Sequence, residues 1–230
     1  MVTAGYTLCD VGTDHGYVPI ALVQGNIIPK AIAVDINKGP LERANEHIRA
    51  NGLTEKITTR LSNGLEAIHD GEVDSIVIAG MGGELVIHIL TAGETVCRSA
   101  KELILQPQSD IPHFRRFVMQ NGYQIIQEEM ILEDGKFYPI MKAVPYEGER
   151  PAVWSREEEM FGRLLLERKH PVLKLYLERE LRIRSEISAQ LESASGDAVK
   201  KGDLILEIDL EKVKAAGYDT STLVVICNTD

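Results

Sequence analysis

Leu8-Cys9-Asp10-Val11-Gly12-Thr13-Asp14-His15-Gly16-Tyr17-Val18-Pro19, continuing into Ile20-Ala21-Leu22-Val23, runs apolar, acidic, glycine-rich and apolar again. A buried strand that ends in a tight turn and feeds a helix has this pattern. Gly12 and Gly16 allow the backbone to approach a ligand closely, and Gly16 stands where the helix begins. Asp10 closes the strand at the carboxyl edge of the sheet, where open α/β folds bind their ligands.

The turn is not a dinucleotide fingerprint. Read as D-x-G-x-G-x-G, its middle glycine is replaced by Asp14. Two acids, Asp10 and Asp14, would face a pyrophosphate repulsively. A cation suits them better, and S-adenosylmethionine (SAM) carries both an ammonium and a sulfonium.

Outward from this turn, strand and helix signals alternate over residues 4–142. Strands are expected at 7–11, 30–35, 57–61, 73–79 and 102–106, with helices at 16–24, 40–50, 85–91 and 112–121. Two strands around Asp134-Gly135 then form an antiparallel hairpin. The expected fold is α/β, a doubly wound and mostly parallel sheet with a reversed last strand. Composition shifts near Pro145–Pro151. Apolar residues then recur at helical spacing, from Met160 to Leu191, with Lys169-His170-Pro171 as a break. A turn at Ala194–Asp197 and a third helix near 204–216 complete an expected helical hairpin or short coiled coil. The apolar stretch Ser221–Cys227 receives no assignment. The expected domains are therefore 1–146 and 147–230.

With 230 residues, 44% of them hydrophobic and 26% charged, the chain can bury one full core plus an appendage. No apolar run reaches the roughly 18 residues of a membrane span. No basic-then-apolar leader opens the sequence, so the cytoplasm is the expected location. Cys9, Cys97 and Cys227 are too few and too scattered for a disulfide framework or a zinc site, and no metal is expected. A net charge of −10 argues against indiscriminate nucleic-acid binding. It leaves room for a local basic face, and Arg168, Lys169, Lys174, Arg179, Arg182 and Arg184 stand against only Glu178 and Glu180 in their stretch.

The ends of successive strands converge on one crevice. Asp35, at the end of the second strand, can accept ribose hydroxyls, and Ile36 follows it. Asn63-Gly64-Leu65 follows the third strand, and an amide there can read an adenine edge. Ala79-Gly80-Met81-Gly82-Gly83 follows the fourth as a glycine loop with no polar side chain. Its carbonyls suit a ring nitrogen whose lone pair is already free. Gln106 and Gln108, after the fifth strand, are further edge readers.

The segments Asp10–Pro19, Asn63–Leu65, Ile78–Gly83 and Leu103–Gln108, in this order, resemble the bacterial tRNA adenine N1-methyltransferases that modify position 22 in the D-arm. The resemblance extends over nearly the whole chain. It implies a Rossmann-like class I SAM-dependent methyltransferase core and a C-terminal coiled-coil domain that binds tRNA, in a monomer or a weak dimer formed through the tail. On this reading SAM is held by Asp10, Gly12, Thr13, His15, Gly16, Tyr17, Asp35, Ile36, Asn63, Gly64, Leu65, Ala79 and Gly80. Transfer is assisted by Asp14, Gly80, Met81 and Gln106. Phosphates fall to Arg115 and Arg116 and to the basic run from Arg168 to Arg184. Two departures stand out: family members carry Asp where this chain has Asn63, and they have a helical segment before the first strand.

The residues alone leave other classes open. A methyltransferase acting on a protein or small molecule shares the same core. A nucleotide-dependent oxidoreductase also uses an acid like Asp35, although Asp14 speaks against it. A non-catalytic SAM-binding or coiled-coil interaction protein is the third alternative.

Overall fold

The structure is a computed structural model that describes residues 1–146, 148 and 152–193, with side chains described through 187. Strands β1 (Leu8–Val11), β2 (Ala31–Asp35), β3 (Ile57–Leu61), β4 (Ser75–Met81) and β5 (Glu102–Pro107) are joined in parallel, and β6 (Tyr123–Glu133) and β7 (Lys136–Pro145) follow. The strand order is β3-β2-β1-β4-β5-β7-β6, with β7 antiparallel to β5. β1 and β2 are buried along their whole lengths, as parallel strands covered on both faces should be. At the edge, β3 alternates a buried Ile57 with exposed and half-buried polar residues.

Helices α1 (Tyr17–Gln24) and α2 (Lys38–Ala50) connect β1 to β2 and β2 to β3. Their apolar residues Ile20, Val23, Ala44 and Ile48 join Leu8, Ala31, Ala33, Ile57, Val77 and Ile104 of the sheet in one core cluster. Pro40 sits in the first turn of α2, where its missing N–H costs nothing. Helices α3 (Gly83–Ala92), α4 (Glu94–Ser99) and α5 (Ile111–Gln120) flank β5 in sequence. The short α4, entered at Gly93, carries too few residues for a periodic signal and was not expected. The β6–β7 turn places both Asp134 (φ 49°) and Gly135 (φ 74°) in the left-handed region, the geometry of a hairpin turn that matches strand twist.

The chain divides into two compact units: Met1–Glu129 with Tyr138–Val153, and Met130–Phe137 with Trp154 onward. The cut in sequence is therefore not single, because the hairpin tip belongs with the helices. In the second unit, α6 (Arg156–Phe161), α7 (Arg163–Glu167) and α8 (Pro171–Ser193) follow one another. A capping box opens α6: Ser155 Oγ accepts from the Glu158 backbone N–H, and Glu158 accepts from that of Ser155. Met130, Phe161, Leu165 and Leu173 form this unit's core, backed by Phe137 and Tyr176. The expected turn at Ala194–Asp197, the third helix and Ser221–Cys227 lie outside the described residues. Among the described residues no helix is long and apolar enough to cross a membrane.

Candidate active site

The β1 turn is closed by its own backbone. The Gly12 and Thr13 N–H groups both donate to the Val34 carbonyl of β2, at 2.8 and 3.0 Å, and the Gly16 N–H donates to Thr13 O. Gly12 and Gly16 both stand at φ +73°, which explains why glycine is used at each. Gly12 also has a neighbour: a Cβ placed there would lie 2.2 Å from Met81 Cε. Gly16 is likewise pressed against Ala44, which seats the start of α1 on α2.

Asp10 is buried, only 5% exposed, and its Oδ2 accepts the Thr13 hydroxyl proton at 2.6 Å. Burial pushes its carboxyl up to about 6, the Thr13 hydrogen bond pulls the other way, and the Asp35 charge raises it further. Asp35 is also buried; its Oδ1 accepts the Asn37 backbone N–H at 2.8 Å, and its Oδ2 accepts nothing among the described residues. Two neighbouring carboxylates with one raised carboxyl make a site short of positive charge. Asp14 does not share in it. Its carboxylate is exposed and paired with Arg43 at 2.9 Å and with His15 at 3.4 Å. The Asp14 carboxylate thus meets Arg43 of α2 at the surface.

The edge after β4 also differs from expectation. β4 continues through Gly80 to Met81, with a register shift against β5 between Ala79 and Met81. Gly80 (φ 78°) donates its N–H to Gln106 Oε1 at 2.8 Å, and Gln106 is 9% exposed. Gln106 therefore braces the β4 backbone through its amide oxygen. The Gln108 N–H donates to Met81 O, and the Gly83 N–H donates to Ser109 Oγ at 3.1 Å. Ser109 was missed because a serine after a strand carries no local signal; the close backbone approach at Gly83 is what selects it. A Cβ on Gly83 would lie 2.4 Å from Ser109 O.

Asn63 is exposed, and its amide donates to Glu66 Oε1 at 2.9 Å. With Gly64, Leu65, Glu66, His88 and Ile89 it lines a shallow pocket with room for little more than a water molecule. Leu65 itself is 2% exposed and serves the core. Ile36 is 60% exposed just past Asp35. The rings of His15 and Tyr17 stack on each other and on His47 of α2, a residue the sequence reading did not single out. Glu84, Asp110 and His113 also come together, all exposed, in surface pairs of the kind that contribute about 0–1 kcal/mol.

Of the residues expected to hold phosphates, Arg115 is corrected. It is 1% exposed and donates to Glu128 at 2.8 Å, an equally buried partner. Arg116 is exposed. In the second unit, the Arg179 guanidinium lies 5.0 Å from the Phe137 ring centroid and 5.8 Å from that of Tyr176, so packing claims it. Lys174 pairs with Glu178, and Arg184 with Glu180. Arg168 donates to Leu164 O, Lys169 sits exposed at φ 51°, and Arg182 is exposed.

This arrangement has relatives. The TrmK profile, described as tRNA (adenine(22)-N(1))-methyltransferase, matches residues 8–214. A tRNA (adenine(22)-N(1))-methyltransferase of Bacillus subtilis (strain 168) is 34% identical over 204 residues, covering 87% of this chain and 85% of the relative. The structure resembles Streptococcus pneumoniae Sp1610 in complex with S-adenosyl-L-methionine (TM-score 0.74, 32% identity, 93% of each chain). It also resembles M. capricolum TrmK bound to S-adenosyl-homocysteine (TM-score 0.73, 26% identity, 94% of this chain and 90% of that one). With a profile match from residue 8 to residue 214 and a 34% identical relative along most of its length, the chain belongs to the TrmK family of tRNA (adenine(22)-N(1))-methyltransferases.

Proposed function

We propose that the protein transfers a methyl group from SAM to N1 of adenine 22 in the D-arm of tRNA, in the cytoplasm. The observation that carries this reading is the buried Asp10 beside Asp35, at a glycine turn held in left-handed backbone. A cation beside Asp10 offsets the burial, and the smaller effect of the Asp35 charge, that lift its carboxyl, so the residues present fit SAM. When bound, SAM supplies an electrophilic methyl on a sulfonium. Asp10 and Asp35 would hold its charged and hydroxyl groups, and Gly12, Gly16, Ile36, Asn63 and Gly64 would border it.

Adenine N1 carries a free lone pair near neutral pH, so no residue has to remove a proton to create the nucleophile. What the chain contributes is positioning and dipoles. Gln106 fixes the Gly80 N–H, which directs the backbone around Gly80 and Met81 to a set place at the edge. N1 lies on the Watson–Crick edge, so the target base must leave its pair before it reacts. Recognition of a folded RNA needs more surface than the pocket, and the helical unit, with Arg168, Lys169 and Arg182 exposed, supports a tRNA-binding role for residues 147–230.

The test is methylation of a tRNA transcript carrying adenine at position 22, followed by nucleoside mass spectrometry. N1-methyladenosine is expected with the wild-type chain and lost in Asp10→Ala. Methylation at another atom, or none by the wild type, removes the reading.

A further inference from the structure

His15, Tyr17 and His47 form a single aromatic cluster beside the β1 turn. Their ring centroids are 5.2 Å (His15–Tyr17), 5.2 Å (Tyr17–His47) and 5.6 Å (His15–His47) apart, with interplanar angles of 14°, 16° and 23°. His47 Nδ1 lies 2.9 Å from the His15 carbonyl, which fixes its ring orientation. Tyr17 nevertheless stays 63% exposed. A large ring held parallel to two others and left open to solvent offers stacking area that the core does not use. Arg43 lies beside the cluster and neutralises Asp14 at 2.9 Å, so the turn does not repel a nucleotide phosphate there.

The cluster lies on the α2 side of the β1 turn. It draws on the β1 turn, α1 and α2, which belong to the β2 side of β1, whereas the Gly80–Gly83 and Ser109 backbone lies on the β4–β5 side. We infer that His15, Tyr17 and His47 are a stacking platform for an unpaired base of the RNA substrate other than the adenine that is methylated. The inference rests on the tRNA reading above and adds a second point of contact to it. Single-stranded RNA is commonly held this way, because every base presents a π-face to an aromatic ring.

The test uses the full chain and a tRNA transcript with adenine at position 22. Wild-type methylation of that transcript is established first; if it is missing, the tRNA reading itself falls. Given activity, Tyr17→Ala is expected to raise the KM for tRNA about tenfold and His47→Ala about threefold. Tyr17→Phe and His47→Phe, which keep a ring, should restore it. In His47→Ala, SAM affinity by calorimetry and kcat at saturating tRNA should stay within about twofold of wild type. An unchanged tRNA KM in the alanine variants overturns the platform. So does a loss of SAM affinity in step with KM, which assigns the rings to the cofactor. Should Tyr17→Ala not fold, the His47→Ala and His47→Phe pair on α2 decides the matter by the same readouts.

Discussion

The β1 turn (residues 10–16) and the basic run of the helical unit (residues 168–184) both present charged residues where a ligand is expected. In the turn, the acidic character survives folding. Asp10 is buried next to Asp35, with the Thr13 hydroxyl donating to it, and the glycines take left-handed backbone that other residues resist. In the basic run, much of the charge is spent internally. Arg179 lies over Phe137 and Tyr176, Lys174 faces Glu178, and Arg184 faces Glu180. Charge that folding leaves uncompensated in a buried place marks a site, whereas charge on a helix surface finds neighbours of opposite sign one turn away.

The sharpest way to break this contrast is at Arg115, where an expected phosphate contact became a buried ion pair. Arg115→Ala should destabilise the protein by about 3–5 kcal/mol in chemical denaturation, because it strands Glu128. A stable variant with weakened tRNA binding would restore the phosphate reading.

Asp10 comes next. Asp10→Ala should weaken SAM binding by about 3 kcal/mol, roughly a hundredfold in Kd by calorimetry. Its pH dependence follows from a carboxyl raised to about 6 from an ordinary value near 3.8. A group that holds its proton more tightly when folded costs stability as pH rises between those values and recovers none of it above them. The stability of Asp10→Asn relative to wild type should therefore improve by about 2 kcal/mol from pH 4 to pH 7 without cofactor. SAM affinity should fall as pH drops below about 6, by up to about tenfold per pH unit. A flat profile would show that Asp10 is not the cation's partner.

Gly12→Ala probes the close approach to Met81. The left-handed φ alone should cost about 1–2 kcal/mol in thermal melting. Activity should fall further than stability, and Met81→Ala in the same chain should recover part of the activity by clearing the 2.2 Å collision.

The smallest effects separate Arg179 from Arg182. Arg179→Ala should lower stability by about 0.5–1 kcal/mol through lost ring contacts. Arg182→Ala should leave melting unchanged and reduce the salt dependence of tRNA binding by about one phosphate contact. The reverse pattern would mean that packing and RNA contact are exchanged between the two.

Much of the fold was legible because its signals are local. Buried apolar runs gave β1, β2, β4 and β5, and Asp134-Gly135 gave the hairpin. Helix α4 escaped because six residues are too few for a period, and the Ser155–Glu158 capping box went unread inside a charged stretch. At the site, the positions of Asp10, Gly12, Gly16 and Asp35 follow from strand ends, which period and glycine placement reveal.

The sequence by itself determined the parallel sheet and the glycine turn with its acids, because backbone conformation and burial pattern are properties of adjacent residues. Only the tertiary structure decided which charges remain available. Arg43 reaches Asp14 from 29 residues away, Gln106 reaches Gly80 from 26, and Arg115 meets Glu128 in the core. Side-chain partnership depends on which elements the sheet order brings together, and no spacing along the chain encodes it.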